Sequence, residues 1–77
     1  MPFQKIEPDR VAESVITQIE QLILRGIIRP GERLPSERDL ADRLGVSRPS
    51  LREAISSLQE RGLLTTKANS GIFVEEL

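Results

Sequence analysis

Val11, Val15, Ile19, Leu22 and Ile23 recur at helical spacing, so one face of a first helix is core; Asp9 is placed to cap it and Gly26 to end it. Leu24 falls on the opposite side, beside Glu13, Thr17, Glu20 and Gln21, and marks a candidate docking surface. Pro30-Gly31 has the residues a type II turn wants at its centre, and Leu34-Pro35 forces an extended approach to Ser36, with room for a very short strand around Arg33-Leu34. Ser36 starts a second helix, Asp39 completes a Ser-x-x-Asp variant of the capping box, and Leu40, Ala41 and Leu44 form the buried stripe that Gly45 closes. Ser47 caps a third helix, in which Pro49 is tolerated because the first turn has no intrahelical partners for its N–H groups. Leu51, Ala54, Ile55 and Leu58 line its inner side and leave Pro49, Arg52, Glu53 and Ser56 outside, and Gly62 ends it.

Beyond Gly62, Leu63-Leu64-Thr65-Thr66-Lys67 and Ile72-Phe73-Val74-Glu75 are rich in apolar and β-branched residues, with turn chemistry at Ala68-Asn69-Ser70-Gly71 between them. That is a β-hairpin. The expected fold is therefore mainly α with a small β-hairpin: a winged helix-turn-helix of three helices plus a β-wing, spanning residues 9–77 behind an N-terminal arm of residues 1–8. The second and third helices are joined by Gly45-Val46 alone, the short turn that lets two helices cross steeply and present the second to a DNA groove.

Composition narrows the chemistry. A chain of 77 residues supports one small core. With no Cys and no His, disulfides, the usual zinc ligand sets and the commonest general base are absent, so neither a metal, a cofactor nor catalysis is expected. Two aromatics, Phe3 and Phe73, are too few for a base-stacking platform, which favours duplex over single-stranded nucleic acid. No apolar run reaches the length of a membrane span, and Glu7 and Asp9 follow Met1-Pro2-Phe3-Gln4-Lys5 where a signal peptide would turn apolar, so the expected location is cytoplasmic. The net charge of −1 argues against a polyanion partner, but its distribution reverses that reading. Between Arg33 and Lys67 stand Arg33, Arg38, Arg43, Arg48, Arg52, Arg61 and Lys67 against Glu37, Asp39, Asp42, Glu53 and Glu60, a basic excess centred on the proposed reading head.

Arg48 and Arg52, one helical turn apart, project about 6 Å apart along the axis, nearly two base-pair steps. A guanidinium can make a bidentate contact to guanine O6 and N7, and both arginines lie at the helix end that enters the groove in helix-turn-helix proteins. The competing use of Arg52 is an ion pair with Glu53, Glu60 or another surface acid. Ser47, Ser50 and the helix N-terminus beside Pro49 offer hydroxyls and free N–H groups to phosphates, though Ser47 is first of all a cap. Arg38 is placed for backbone or a flanking base, against an ion pair with Asp42. Lys67, Asn69, Ser70 and Gly71 at the wing tip are within reach of the adjacent minor groove or phosphates, and polar loop tips are also simply common.

The stretch Arg29-Pro30-Gly31-Glu32-Arg33-Leu34-Pro35-Ser36-Glu37-Arg38-Asp39-Leu40-Ala41, followed by Gly45-Val46-Ser47-Arg48-Pro49-Ser50-Leu51-Arg52-Glu53-Ala54, resembles the signature of the GntR transcription regulators, and within them the FadR-like subgroup. The resemblance runs from about Val11 to Val74. It implies a winged helix that binds a palindromic operator as a dimer, with Arg38, Arg48 and Arg52 on bases and phosphates, the wing tip near the minor groove, and GT and AC steps in the half-sites. It also implies a metabolite-responsive regulator, a repressor released by a small organic acid. The wing departs from the family's Gly-x-Gly-Thr-Phe-Val at Asn69 and Ile72; Asn tolerates the left-handed conformation, so the turn survives. Regulators of this family continue into an effector and dimerisation domain, and with Leu77 just past the wing the chain reads as the isolated head, monomeric in free solution. Two other readings stay open: a winged helix used for protein–protein contact, and the same head fused to an aminotransferase-like domain.

Overall fold

Apolar spacing and turn chemistry produce three helices and a hairpin in the computed structural model, which describes residues 2–5 and 10–76. They are α1 (Val11–Leu24), α2 (Glu37–Leu44), α3 (Arg48–Glu60), β1 (Leu64–Lys67) and β2 (Gly71–Val74). β1 begins one residue later than expected, at Leu64, and β2 is shifted by one residue at both ends, running from Gly71 to Val74. The winged helix is thus present, with α1 and α3 packed together and α2 laid against α3.

In α1, Val15, Ile19 and Leu22 are buried, and Ile23 is half-buried against the same core. Asp9, expected as its cap, lies outside the described residues; the N-cap position is held by Arg10, in the left-handed region at φ 53° with no side-chain cap bond. Gly26 ends the helix as expected. The Ile27 N–H donates to the Leu22 carbonyl at 2.9 Å and the Gly26 N–H to that of Ile23 at 3.0 Å, the paired bonds that satisfy a helix's last carbonyls. Gly62 repeats this pattern after α3, with Leu63 and Gly62 donating to Leu58 and Gln59.

Ser36 caps α2: its Oγ accepts the Asp39 N–H at 3.2 Å. The reciprocal bond of a capping box, from the Ser36 N–H to Asp39, is not among the described hydrogen bonds, and an aspartate is one methylene shorter than the glutamate the motif uses. Gly45 turns the chain at φ 71°, and the Val46 N–H returns to the Ala41 carbonyl at 3.0 Å. A Cβ at Gly45 would meet the Lys5 side chain no closer than 3.6 Å, so space is available there and only the backbone angle demands glycine. Gly45→Ala is accordingly expected to lower stability by about 1–2 kcal/mol, the cost of a left-handed L-residue. Thermal melts should show a drop of roughly 4–16 °C, and an unchanged midpoint would mean that the turn relaxes to a different geometry.

The wing pairs antiparallel with Leu64 opposite Val74 and Lys67 opposite Gly71. Its loop, Ala68 to Ser70, holds Asn69 left-handed at φ 62°, the conformation expected of this residue. In place of the very short strand expected around Arg33-Leu34 there is a single β-bridge on the other edge of β2: Arg33 bridges Phe73, Leu34 donates to the Ile72 carbonyl at 2.8 Å, and Val74 donates to that of Glu32 at 2.9 Å. The preceding turn closes as expected, with Gly31 at φ 81° and the Glu32 N–H on the Arg29 carbonyl.

Ile28, Leu34, the stripes Leu40, Ala41, Leu44 of α2 and Leu51, Ala54, Ile55, Leu58 of α3, and Leu64, Ile72 and Val74 complete the core, and Phe3 from the arm joins it at 9 % exposure. The Gln4 N–H and carbonyl are both engaged by the Gln18 side-chain amide at 3.0 and 3.1 Å, which ties the arm to α1. Leu24 is 77 % exposed and Ile27 51 %. No helix among the described residues is long and apolar enough to cross a membrane.

Candidate nucleic-acid interface

The third helix owes its orientation to Leu51, Ala54, Ile55 and Leu58, whose burial turns the opposite face outward. At its start, Ser47 Oγ accepts the Ser50 N–H at 3.3 Å and donates to Ser50 Oγ at 2.9 Å, so the two hydroxyls expected near phosphate also hold each other as a cap. Pro49 occupies the first turn, leaving the remaining free N–H groups aimed out of the helix end.

Arg48 and Arg52 rise from this end with side chains 55 % and 58 % exposed. Of the acids open to Arg52, neither Glu53 nor Glu60 pairs with it, and another surface acid does. Glu37, the first residue of α2, takes both guanidiniums: its Oε1 accepts from Arg48 Nε at 3.2 Å and from Arg52 Nε at 2.9 Å. Because the contacts are made through Nε, the terminal nitrogens are left for other acceptors. Sequence spacing within one helix could not show this, since the carboxylate arrives from the neighbouring helix across the turn.

Arg38 is exposed and borders a surface hollow with Asp39, Asp42 and Val46; no Arg38–Asp42 ion pair occurs among the described residues. On the other side of α3, Ser36, Glu37, Arg52, Ile55, Gln59 and Thr66 line a groove that runs to the wing. Gln59 donates to Thr66 Oγ1 along it and joins helix to hairpin.

At the wing, Lys67 Nζ sits 4.8 Å from the centroid of the Phe73 ring, a cation–π contact that steadies the charge without neutralising it. Asn69 and Ser70 are exposed at the tip. Gly71 has a close neighbour that sequence reasoning missed: a Cβ there would lie 2.9 Å from Arg33 Nε, so the missing side chain makes room for an arginine from the adjoining edge. The signal was present in the basic stretch, but only the bridge between Arg33 and Phe73 gives it an address. The structure thus gathers Ser47, Arg48, Pro49, Ser50 and Arg52 at one helix end and Lys67, Asn69, Ser70 and Gly71 at the wing.

Residues 11–74 match the family described as bacterial regulatory proteins, gntR family. The chain belongs to the gntR family. It is the family's DNA-binding winged helix. Among gntR relatives, the HTH-type transcriptional regulator Rv0494 of Mycobacterium tuberculosis is 46 % identical over 74 residues, covering 96 % of this chain and 31 % of its own length. The Glc operon transcriptional activator of Escherichia coli K12 is 44 % identical over 62 residues, covering 80 % of this chain and 24 % of its own. The chain therefore spans about a third or less of these two relatives. Among solved structures, the AraR DNA-binding domain in complex with operator ORX1 superimposes with a TM-score of 0.86 at 28 % identity, covering 96 % of this chain and 98 % of that one.

Proposed function

We propose that this domain reads double-stranded DNA by sequence, with the N-terminal end of α3 in the major groove. The observation that carries the reading is the pair Arg48 and Arg52, set side by side and more than half exposed at the helix end that a winged helix presents to DNA. Arg48 and Arg52 take base edges; Arg38, Ser47, Ser50 and the N–H groups beside Pro49 take phosphate or flanking bases; Lys67, Asn69, Ser70 and Gly71 reach the adjacent minor groove. The domain binds and does not catalyse. In the whole protein it serves as one of two heads of a cytoplasmic, metabolite-responsive regulator that sits on a palindromic operator as a homodimer and represses. The relatives named above are transcription regulators of greater length, which supports a place for this domain in a larger regulator; repression and the effector are expectations from the family resemblance, and one of those relatives is an activator.

Selecting duplexes from a random pool and titrating the recovered site against a random-sequence duplex tests the reading. Arg48→Ala and Arg52→Ala are each expected to cost about 1–3 kcal/mol on the selected site while leaving the melt near wild type. Melting should hardly change because an exposed pair with Glu37 contributes little to stability. Binding should also weaken steeply with salt, since each neutralised phosphate releases counterions. A variant that melts early yet keeps its preference for the selected site would remove the base-reading role, and salt-insensitive binding would instead favour a protein-contact surface.

A further inference from the structure

We infer that Glu37 is a specificity-determining residue: one carboxylate oxygen aims both reading arginines and at the same time penalises their use on the wrong sequence. This rests on the DNA-reading role proposed above. Glu37 Oε1 holds Arg48 Nε at 3.2 Å and Arg52 Nε at 2.9 Å, and no other acid bonds either arginine among the described residues. Two like charges one turn apart on α3 repel each other, and the shared carboxylate lets them stand together. Held through Nε, each guanidinium keeps its two terminal nitrogens, the edge that matches guanine O6 and N7 end-on.

The effect on the two kinds of complex differs. On a matching site the terminal nitrogens meet guanine while Nε stays on Glu37, so the clasp survives binding and has already fixed the rotamers. On a mismatched site the arginines must go to phosphates. They then either leave Glu37 with an unpaired charge or carry that charge toward the DNA backbone, and both weaken binding. The side chain of Glu37 is 29 % exposed, in the groove that α3 and the wing share, so its charge is not fully screened by water. Specificity is a difference between two affinities, and an acid placed here lowers the unwanted one more than the wanted one.

Glu37→Gln keeps one oxygen for both Nε atoms, removes the charge and turns the second oxygen into an amide donor. With this chain, a random-sequence duplex is expected to bind about 3- to 10-fold tighter than to wild type and the selected duplex to change little, so that the ratio of the two affinities falls by about 3- to 10-fold. The salt slope on the random duplex should steepen by up to about 0.9, one phosphate equivalent. Glu37→Asp keeps the charge but shortens the reach, so the ratio should fall from the opposite side, through weaker binding of the selected duplex. Glu60→Gln, the same charge change at the exposed far end of α3, should leave the ratio alone. A ratio unchanged in either Glu37 variant, or lowered equally by Glu60→Gln, overturns the assignment. If wild type itself prefers no duplex, the DNA-reading role falls and the assignment with it; a wild-type preference that survives both variants removes the assignment alone.

Discussion

Truncating Leu51 or Leu58 to alanine is expected to bring the domain to the edge of unfolding at 37 °C. Both side chains are 0 % exposed, Leu51 near the start and Leu58 near the end of a helix that packs against α1, α2 and β1. Loss of a buried leucine costs about 2–5 kcal/mol, partly from transfer and partly from the cavity left behind. A domain of 77 residues holds only about 4–12 kcal/mol in total, so a single truncation removes a large share. The melting midpoint should fall by at least 10 °C or so, and operator binding should disappear with the cooperative transition. Ser56→Ala, exposed on the same helix, serves as the comparison and should melt like wild type. Wild-type melts for both leucine variants would place the wrong face of α3 inside.

Two copies of the domain joined by a flexible linker are expected to hold a palindromic site about 10²–10⁴-fold more tightly than two free copies, with no new contact made. The large exposed apolar side chains among the described residues are Leu24 and Ile27, far short of the roughly 800 Å² per partner that a stable dimer buries. A single head should therefore sediment as a monomer without DNA. Its extents of 32 × 28 × 23 Å let two heads sit on half-sites one helical turn, about 34 Å, apart. A Gly/Ser linker of about 40 residues has a comparable mean span. Equal affinity for linked and free copies, or a dimer at low micromolar concentration, would show that the domain has its own dimer interface, with Leu24 the first residue to substitute.

Local rules carried much of the fold. Ser36 and Ser47 cap, Gly26, Gly45 and Gly62 end helices, and Asn69 turns the wing because each choice depends on a few neighbouring residues and one backbone angle. The apolar stripes of α2 and α3 were legible for the same reason, since period alone decides which face is wet. What escaped depended on elements distant in sequence. Phe3 is one aromatic in a polar arm until the folded chain offers it a place in the core. Glu37 is an ordinary first-turn acid until the crossing of α2 over α3 sets it between two arginines eleven and fifteen residues away. Arg33 gains its position over Gly71 only when the approach to α2 pairs with β2.

That pairing leaves β2 bonded on both edges, to β1 on one side and to residues 31–34 through a single bridge and its flanking hydrogen bonds on the other. The wing is thus stapled along β2 to the segment that leads directly into α2, and β2 cannot shift without breaking bonds to that segment. Helix end and wing tip form a caliper of set opening. A caliper that does not bend passes the strain to what it grips, so operators whose flanking steps deform easily should be favoured at positions no side chain touches.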